Sequence, residues 1–147
     1  MGTKYDDASW HYGGNFPVDQ PNEHGGTHIG LFLRWCFAKG WAGALHLETA
    51  PEAVASVARG DTTGTEFLFR FCDGKSTDED LNAQGNSFAG RYYGSEGMYL
   101  EDYAEHFGRL MYIAPESAHD YDRFAAMLQA SYDKLVGGAG QNTGGEA

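Results

Sequence analysis

The sequence predicts a mainly α, compact single-domain bundle of about five to six helices, with a small β-hairpin as the one β element its pattern leaves open. Three observations predict it. Apolar residues recur at helical intervals, with Ile29, Phe32, Leu33, Cys36 and Phe37 forming an early stripe and Tyr121, Phe124, Ala125, Leu128, Tyr132 and Leu135 a late one. Threonine, serine and glycine stand between the stripes, where helices need caps and ends. The 147 residues, 41% apolar and 21% charged, suit one domain with an ordinary core and leave no room for a second full domain.

Taken in order, residues 18–26 hold Pro21, Asn22 and the pair Gly25-Gly26, which is loop chemistry. Thr27 is positioned to cap the first helix, which ends at Gly40. Leu31, Trp35 and Trp41 fall off its main stripe, so this helix is expected to be covered on more than one side and to be the central element. Residues 43–47 form a short connection, and residues 44–47 are the place where a small hairpin would sit. Thr49-Ala50-Pro51-Glu52 then reads as a capping box with proline in the first turn of a helix that stops at Gly60.

Residues 65–72 fit two periods. Phe67, Phe69 and Phe71 alternate as in a strand, whereas Phe67, Leu68, Phe71 and Cys72 share a helical face. A helix is favoured, because Thr62-Thr63-Gly64-Thr65 supplies caps and Asp73-Gly74 an ending. Thr77-Asp78-Glu79-Asp80 carries a threonine cap and three carboxylates that complement a helix dipole. Leu81, Phe88, Tyr92 and Tyr93 continue the pattern through a glycine-rich region. Residues 98–107 make a short helix with Leu100, Tyr103, Ala104 and Phe107 inward and Glu101, Asp102 and Glu105 outward. Ser117 caps the last helix, so residues 1–136 form the globular domain and the glycine-rich residues 137–147 a flexible tail.

Charge narrows the partners. The formal net charge is −11, and between Asp61 and Asp122 thirteen acidic residues face four basic ones, a net −9. Such a surface repels nucleic acid and anionic membrane and attracts a basic partner. The longest apolar run, Ile29-Gly30-Leu31-Phe32-Leu33, stops at Arg34, far short of the roughly 20 residues of a membrane span. With no export signal in view, a cytoplasmic protein is expected, and Cys36 and Cys72 read as reduced core residues.

The chemistry-bearing residues gather near the start, in Tyr5-Asp6-Asp7-Ala8-Ser9-Trp10-His11-Tyr12-Gly13-Gly14-Asn15-Phe16-Pro17. Asp6, Asp7 and His11 have the types needed for acid and base work, since a carboxylate can orient an imidazole. Ser9 lacks the glycine-flanked setting of an activated nucleophile, so docking of the Trp10 ring and hydrogen bonding by His11 describe the segment better, as a latch. His24 and His28 stand four apart, but Gly25-Gly26 between them is a poor helix interior and the glutamate of the zinc-protease signature is absent there. No glycine pattern matches a phosphate-binding loop. The expected inventory is no catalytic residue, no metal and no cofactor.

The opening segment, with Thr27-His28-Ile29-Gly30-Leu31-Phe32-Leu33-Arg34-Trp35 and Thr77-Asp78-Glu79-Asp80-Leu81-Asn82, resembles a family of small acidic bacterial proteins known as a domain of unknown function. The resemblance covers residues 4–135 and brings no catalytic residue with it. By analogy of size and charge, the expected function is that of an immunity protein. Asp78, Glu79, Asp80, Glu101, Asp102 and Glu105 would then meet the basic cleft of a cognate toxin. The alternative is an enzyme or small-ligand protein with a pocket formed by Asp6, Asp7, Trp10, His11 and His28. A third reading is an adaptor for another protein.

Overall fold

The computed structural model describes residues 4–7, 26–93, 99–107 and 118–140. Their order is β1 (Lys4–Asp7), α1 (Thr27–Ala38), α2 (Ala44–Thr49), α3 (Pro51–Arg59), α4 (Gly64–Phe71), β2 (Lys75–Thr77), a 3-10 turn (Asp78–Asp80), α5 (Ala83–Tyr92), α6 (Tyr99–Phe107) and α7 (Ala118–Gly140). The protein is thus mainly α with one small antiparallel sheet. Two compact units divide the chain, Met1–Glu116 and Ser117–Ala147.

In the first unit α1 is the central element, as its off-stripe aromatics predict. Ten of its twelve residues are buried, among them Leu31 and Cys36 with no exposure, so it has almost no solvent face. It packs against α4 and α3. Phe32 is ringed by Tyr93, Tyr99 and Phe88 at centroid separations of 5.0, 5.0 and 6.0 Å, and Trp35 meets Trp41 edge-on at 5.5 Å. Such ring pairs add to the area they bury, by roughly 0.5–1.5 kcal/mol each.

Small residues set the closeness of α1 and α4. A Cβ on Gly30 would collide with the backbone of Gly64 and Thr65, and a Cβ on Gly64 with the carbonyl of Gly30. The obstruction is backbone in both cases, so no rotamer change relieves it. The contact lets Ile29 and Leu68 pack together, with Phe69 and Cys72 against them.

The burial of α4 settles its period. Phe67 and Leu68 are both inside while Phe71 is 39% exposed, a helical distribution that alternation cannot produce. Thr63 caps the helix, its hydroxyl accepting from the Glu66 N–H at 3.0 Å.

Elsewhere several local expectations are corrected. Residues 44–47 belong to α2, not to a hairpin, because Ala44, Leu45, Leu47 and Glu48 favour helix and Gly43 is already extended at its N-cap. The sheet instead joins distant segments, with Lys4 opposite Thr77, Asp6 opposite Ser76, Asp7 opposite Lys75, and an irregularity between Lys4 and Asp6. Thr49 closes α2, its hydroxyl donating to the Leu45 carbonyl at 2.7 Å, and α3 starts from Ala50 without a side-chain cap, although Pro51 holds the predicted first position. Gly26, not Thr27, is the N-cap of α1. Thr77 does form a capping box with Asp80, but it opens only a three-residue 3-10 turn. Asn82 supplies the next cap, accepting from the Gly85 N–H at 2.9 Å.

The second unit contains α7, in which Phe124 and Leu128, one turn apart, are fully buried. Helical backbone runs through Gly140, across residues 137–140 that the sequence assigned to the tail. Each glycine lowers helix propensity by about 1 kcal/mol without forbidding the conformation, so a glycine run does not fix a helix end sharply. Ser117 and residues 141–147 lie outside the described residues.

The Gly30 and Gly64 contact makes a direct prediction. Gly30→Ala and Gly64→Ala should each destabilise the protein by about 1–3 kcal/mol or more, as overpacking against backbone does. Gly90→Ala, in α5 with open space around it, should be neutral or stabilising by up to about 1 kcal/mol. Urea unfolding followed by far-UV circular dichroism measures all three.

Candidate functional site

Two short segments that sequence leaves far apart are laced together by backbone. The Gly43 N–H donates to the Asp80 carbonyl at 2.9 Å and the Asn82 N–H to the Trp41 carbonyl at 2.8 Å, around a bridge between Ala42 and Leu81. Gly43 lies so near the Glu79 carbonyl that a Cβ would strike it. This seats the first turn of α2 on the 3-10 turn and brings His46 to Asp80.

Asp80 is aimed by the capping box. One of its oxygens, Oδ2, accepts from the Thr77 N–H at 2.8 Å, which leaves Oδ1 facing His46 Nε2 at 2.8 Å. Cys72 arrives from a third element. It is the C-cap of α4, after which Asp73 and Gly74, at φ of 56° and 74°, turn the chain back into β2. Its Sγ lies 3.7 Å from His46 Nε2 and donates to Asp80 Oδ1 at 3.5 Å. His46 and Asp80 are 3% and 4% exposed, and Cys72 is partly exposed. Phe67 meets the imidazole edge-on at 5.0 Å and Phe37 at 6.2 Å.

Burial, followed by the neighbouring Asp80 charge and its hydrogen bond, pushes the Cys72 thiol well above its ordinary range, and burial does the same for Cys36. Cys72 is therefore a neutral thiol at neutral pH. A cysteine–histidine–aspartate relay needs the imidazole to offer one nitrogen to the sulfur and the other to the carboxylate. Here one nitrogen, Nε2, faces both. The arrangement is a convergence of three donor atoms, not a relay, and among the described residues it is the set of mixed histidine, cysteine and carboxylate groups able to hold a metal. Both cysteines are free, as the sequence predicts.

The N-terminal residues form a second buried cluster. Pairing of β1 with β2 places Asp6 beside the first turn of α1, where its Oδ2 lies 2.8 Å from His28 Nε2 and accepts from the Tyr93 hydroxyl. Its Oδ1 accepts from the Asp7 N–H at 2.7 Å. The Tyr99 hydroxyl donates to the His28 carbonyl at 2.5 Å, and Tyr103 meets the His28 ring edge-on at 5.6 Å. Burial, with the Asp6 charge second, raises Tyr93 well above an ordinary phenol. Asp7 is bridged by Lys4 at 3.0 Å. Asp6 and His28 therefore converge as the pocket reading expects, but at 2% and 1% exposure they form an interior pair. Trp10, His11 and His24 lie outside the described residues.

The acidic residues divide. Glu79, Glu101 and Glu105 are exposed, and Asp78 and Asp102 partly so, with Asp102 accepting from the Tyr92 hydroxyl at 2.6 Å. Asp80 is the correction: at 4% exposure it belongs to the His46 and Cys72 cluster and not to a partner surface. Sequence reasoning passes over His46 and Cys72 as site residues because 26 and 8 positions separate Cys72 from its two partners, with no local motif. The capping box is the one sequence signal that could have set Asp80 apart from its neighbours.

Thiolate, not thiol, reacts with alkylating agents. With the Cys72 pKa raised, its alkylation by iodoacetamide at pH 8 should be at least about 10-fold slower in the folded chain than in urea, the rate still rising towards pH 10. Peptide mapping by mass spectrometry separates Cys72 from Cys36.

Comparison with known proteins adds a family and no activity. No curated protein and no solved structure matches the chain. The match to the family ends at residue 119, near the boundary between the two compact units, so the resemblance expected to reach Leu135 stops as α7 begins. It covers β1, the six helices α1 to α6 and both histidine–aspartate pairs, and over residues 4–119 the chain belongs to the family described as a domain of unknown function, DUF7832.

Proposed function

We propose that this protein acts by binding a protein partner with a basic surface, in the manner of an immunity protein that neutralises a cognate bacterial toxin. The observation that carries the reading is exposed leucines and exposed carboxylates in the same compact unit. Helix α2 presents Leu45 and Leu47, 48% and 50% exposed, and packs on the 3-10 turn that presents Glu79. Glu101 and Glu105, one turn apart on α6, add exposed carboxylates to the same unit.

Apolar side chains give an interface its desolvated centre, and a rim of one charge steers an oppositely charged partner and raises the rate of encounter. A basic cleft evolved to hold an anionic substrate is complementary to such a surface and is blocked by it. The alternative of an N-terminal catalytic pocket has less support, since Asp6 and His28 are directed at each other inside the fold. Among the described residues no helix is long and apolar enough to cross a membrane.

Co-expression with the product of the adjacent gene tests the reading. The wild-type chain should relieve growth arrest by that product and co-purify with it. The triple variant Glu79→Lys, Glu101→Lys, Glu105→Lys should bind at least about 10-fold more weakly, with a flatter dependence of affinity on salt. Leu45→Asp with Leu47→Asp should weaken binding without that change in salt dependence. Failure of the wild type to bind or protect, or full binding by both variants, rejects the proposal.

A further inference from the structure

The His46, Cys72 and Asp80 donors have a use that partner binding does not call on. We propose that they form a site for one zinc-class divalent cation, held by His46 Nε2, Cys72 Sγ and Asp80 Oδ1. The three atoms come from α2, the end of α4 and the 3-10 turn, so the cation would tie together three segments that meet nowhere else in sequence.

Spacing is the first argument. Zinc holds nitrogen and oxygen at about 2.0–2.2 Å and thiolate sulfur at about 2.3 Å in a tetrahedron, which puts neighbouring donor atoms roughly 3.3–3.6 Å apart. Sγ lies 3.5 Å from Oδ1 and 3.7 Å from Nε2, close to those edges before any metal enters. The third edge, 2.8 Å between Nε2 and Oδ1, is a hydrogen bond that opens by about half an ångström when a cation replaces its proton.

Donor chemistry and charge are the second argument. A thiolate with an imidazole suits zinc and excludes magnesium and calcium, which take oxygen donors. On binding, the Cys72 S–H bond breaks, its proton leaves to solvent, and the sulfur electron pair forms the bond to the metal. The His46 ring proton shifts from Nε2, where it bonds Asp80, to Nδ1, so that Nε2 donates its lone pair to the metal, and no electron is transferred. One thiolate and one carboxylate then neutralise a dication, which limits the cost of holding it at a site where His46 and Asp80 are buried. Three protein donors leave a fourth position on the cation, and the partly exposed Cys72 gives that position a route to solvent.

The support around the donors is the third argument. Thr77 N–H fixes the far oxygen of Asp80, and the Phe67 and Phe37 rings hold the imidazole edge-on. Held donors of this kind are what separates a built site from a chance cluster.

The test uses the untagged full-length chain, stripped with a chelator and titrated with Zn2+ in competition with a chromophoric chelator, then with Co2+ as a spectroscopic stand-in. The expected result is one Zn2+ per chain, a raised melting temperature, and a near-ultraviolet sulfur-to-cobalt charge-transfer band. Cys72→Ala leaves the His46 and Asp80 hydrogen bond intact and should fold. It should lose the band and bind Zn2+ at least about 100-fold more weakly, beyond the roughly 10- to 100-fold cost of losing a group outside the ligand set. Cys36→Ala should keep both the band and the affinity. Absence of stoichiometric Zn2+ in the wild type, unchanged affinity in folded Cys72→Ala, or a band that follows Cys36 overturns the proposal.

Discussion

Where α1 meets α4, Gly30 and Gly64 bring two backbones closer than any side chain at either position permits. The position of α4 follows from that contact, and much of the first unit follows from α4. Its inner face supplies Phe67 and Leu68 to the core, its C-cap places Cys72, and the turn after it launches β2. Once β2 is placed, β1 can pair with it and carry Asp6 to α1. A glycine at each of two positions thus governs the location of both buried polar clusters, although neither glycine touches a functional atom.

The two clusters share a design. In each, a buried aspartate meets a buried histidine through Nε2 at 2.8 Å, Asp6 with His28 and Asp80 with His46. Each aspartate also accepts from a backbone N–H, of Asp7 or Thr77 respectively. Removing one partner of such a pair leaves a buried polar group short of a hydrogen bond, at a cost of about 1–3 kcal/mol. A slipped strand or a displaced α2 incurs a similar penalty, so the pairs fix which segments meet as well as how firmly. Apolar packing alone would tolerate more than one arrangement of helices this short.

Legibility in the sequence followed the range of each interaction. The helical periods of α1, α4 and α7, the end of α3 at Gly60, caps for α4 within Thr62-Thr63-Gly64-Thr65, the threonine cap at Thr77 and the central role of α1 are all read from neighbours within one or two turns. The sheet was not, because four residues of β1 and three of β2 carry no period that names a partner some 70 positions away. Likewise His46, Cys72 and Asp80 carry no spacing signature, and their meeting depends on the bridge between Ala42 and Leu81. Thr49 shows the opposite error: a capping sequence was present, but the preceding helix had already claimed the threonine.

The acidic bias itself changes meaning once side chains are placed. A net −9 over the central stretch suggests one continuous negative face, yet Asp80 is interior, Asp102 is bonded to Tyr92, and Asp73 and Asp61 are matched by Lys75 and Arg59. Outside that stretch Asp6 and Asp7 are buried as well. Among the described residues of that stretch Glu66, Glu79, Glu101, Glu105 and Asp122 are exposed, and Glu79 directly precedes Asp80 within the 3-10 turn. One three-residue turn therefore sends adjacent carboxylates in opposite directions, Glu79 to the surface and Asp80 to the interior beside His46 and Cys72. A cation held by the inner carboxylate would brace the turn that displays the outer one. Neutralised inside, the turn would still present its negative charge outside, so the steering field that attracts a basic partner and the local charge balance of a metal site do not compete.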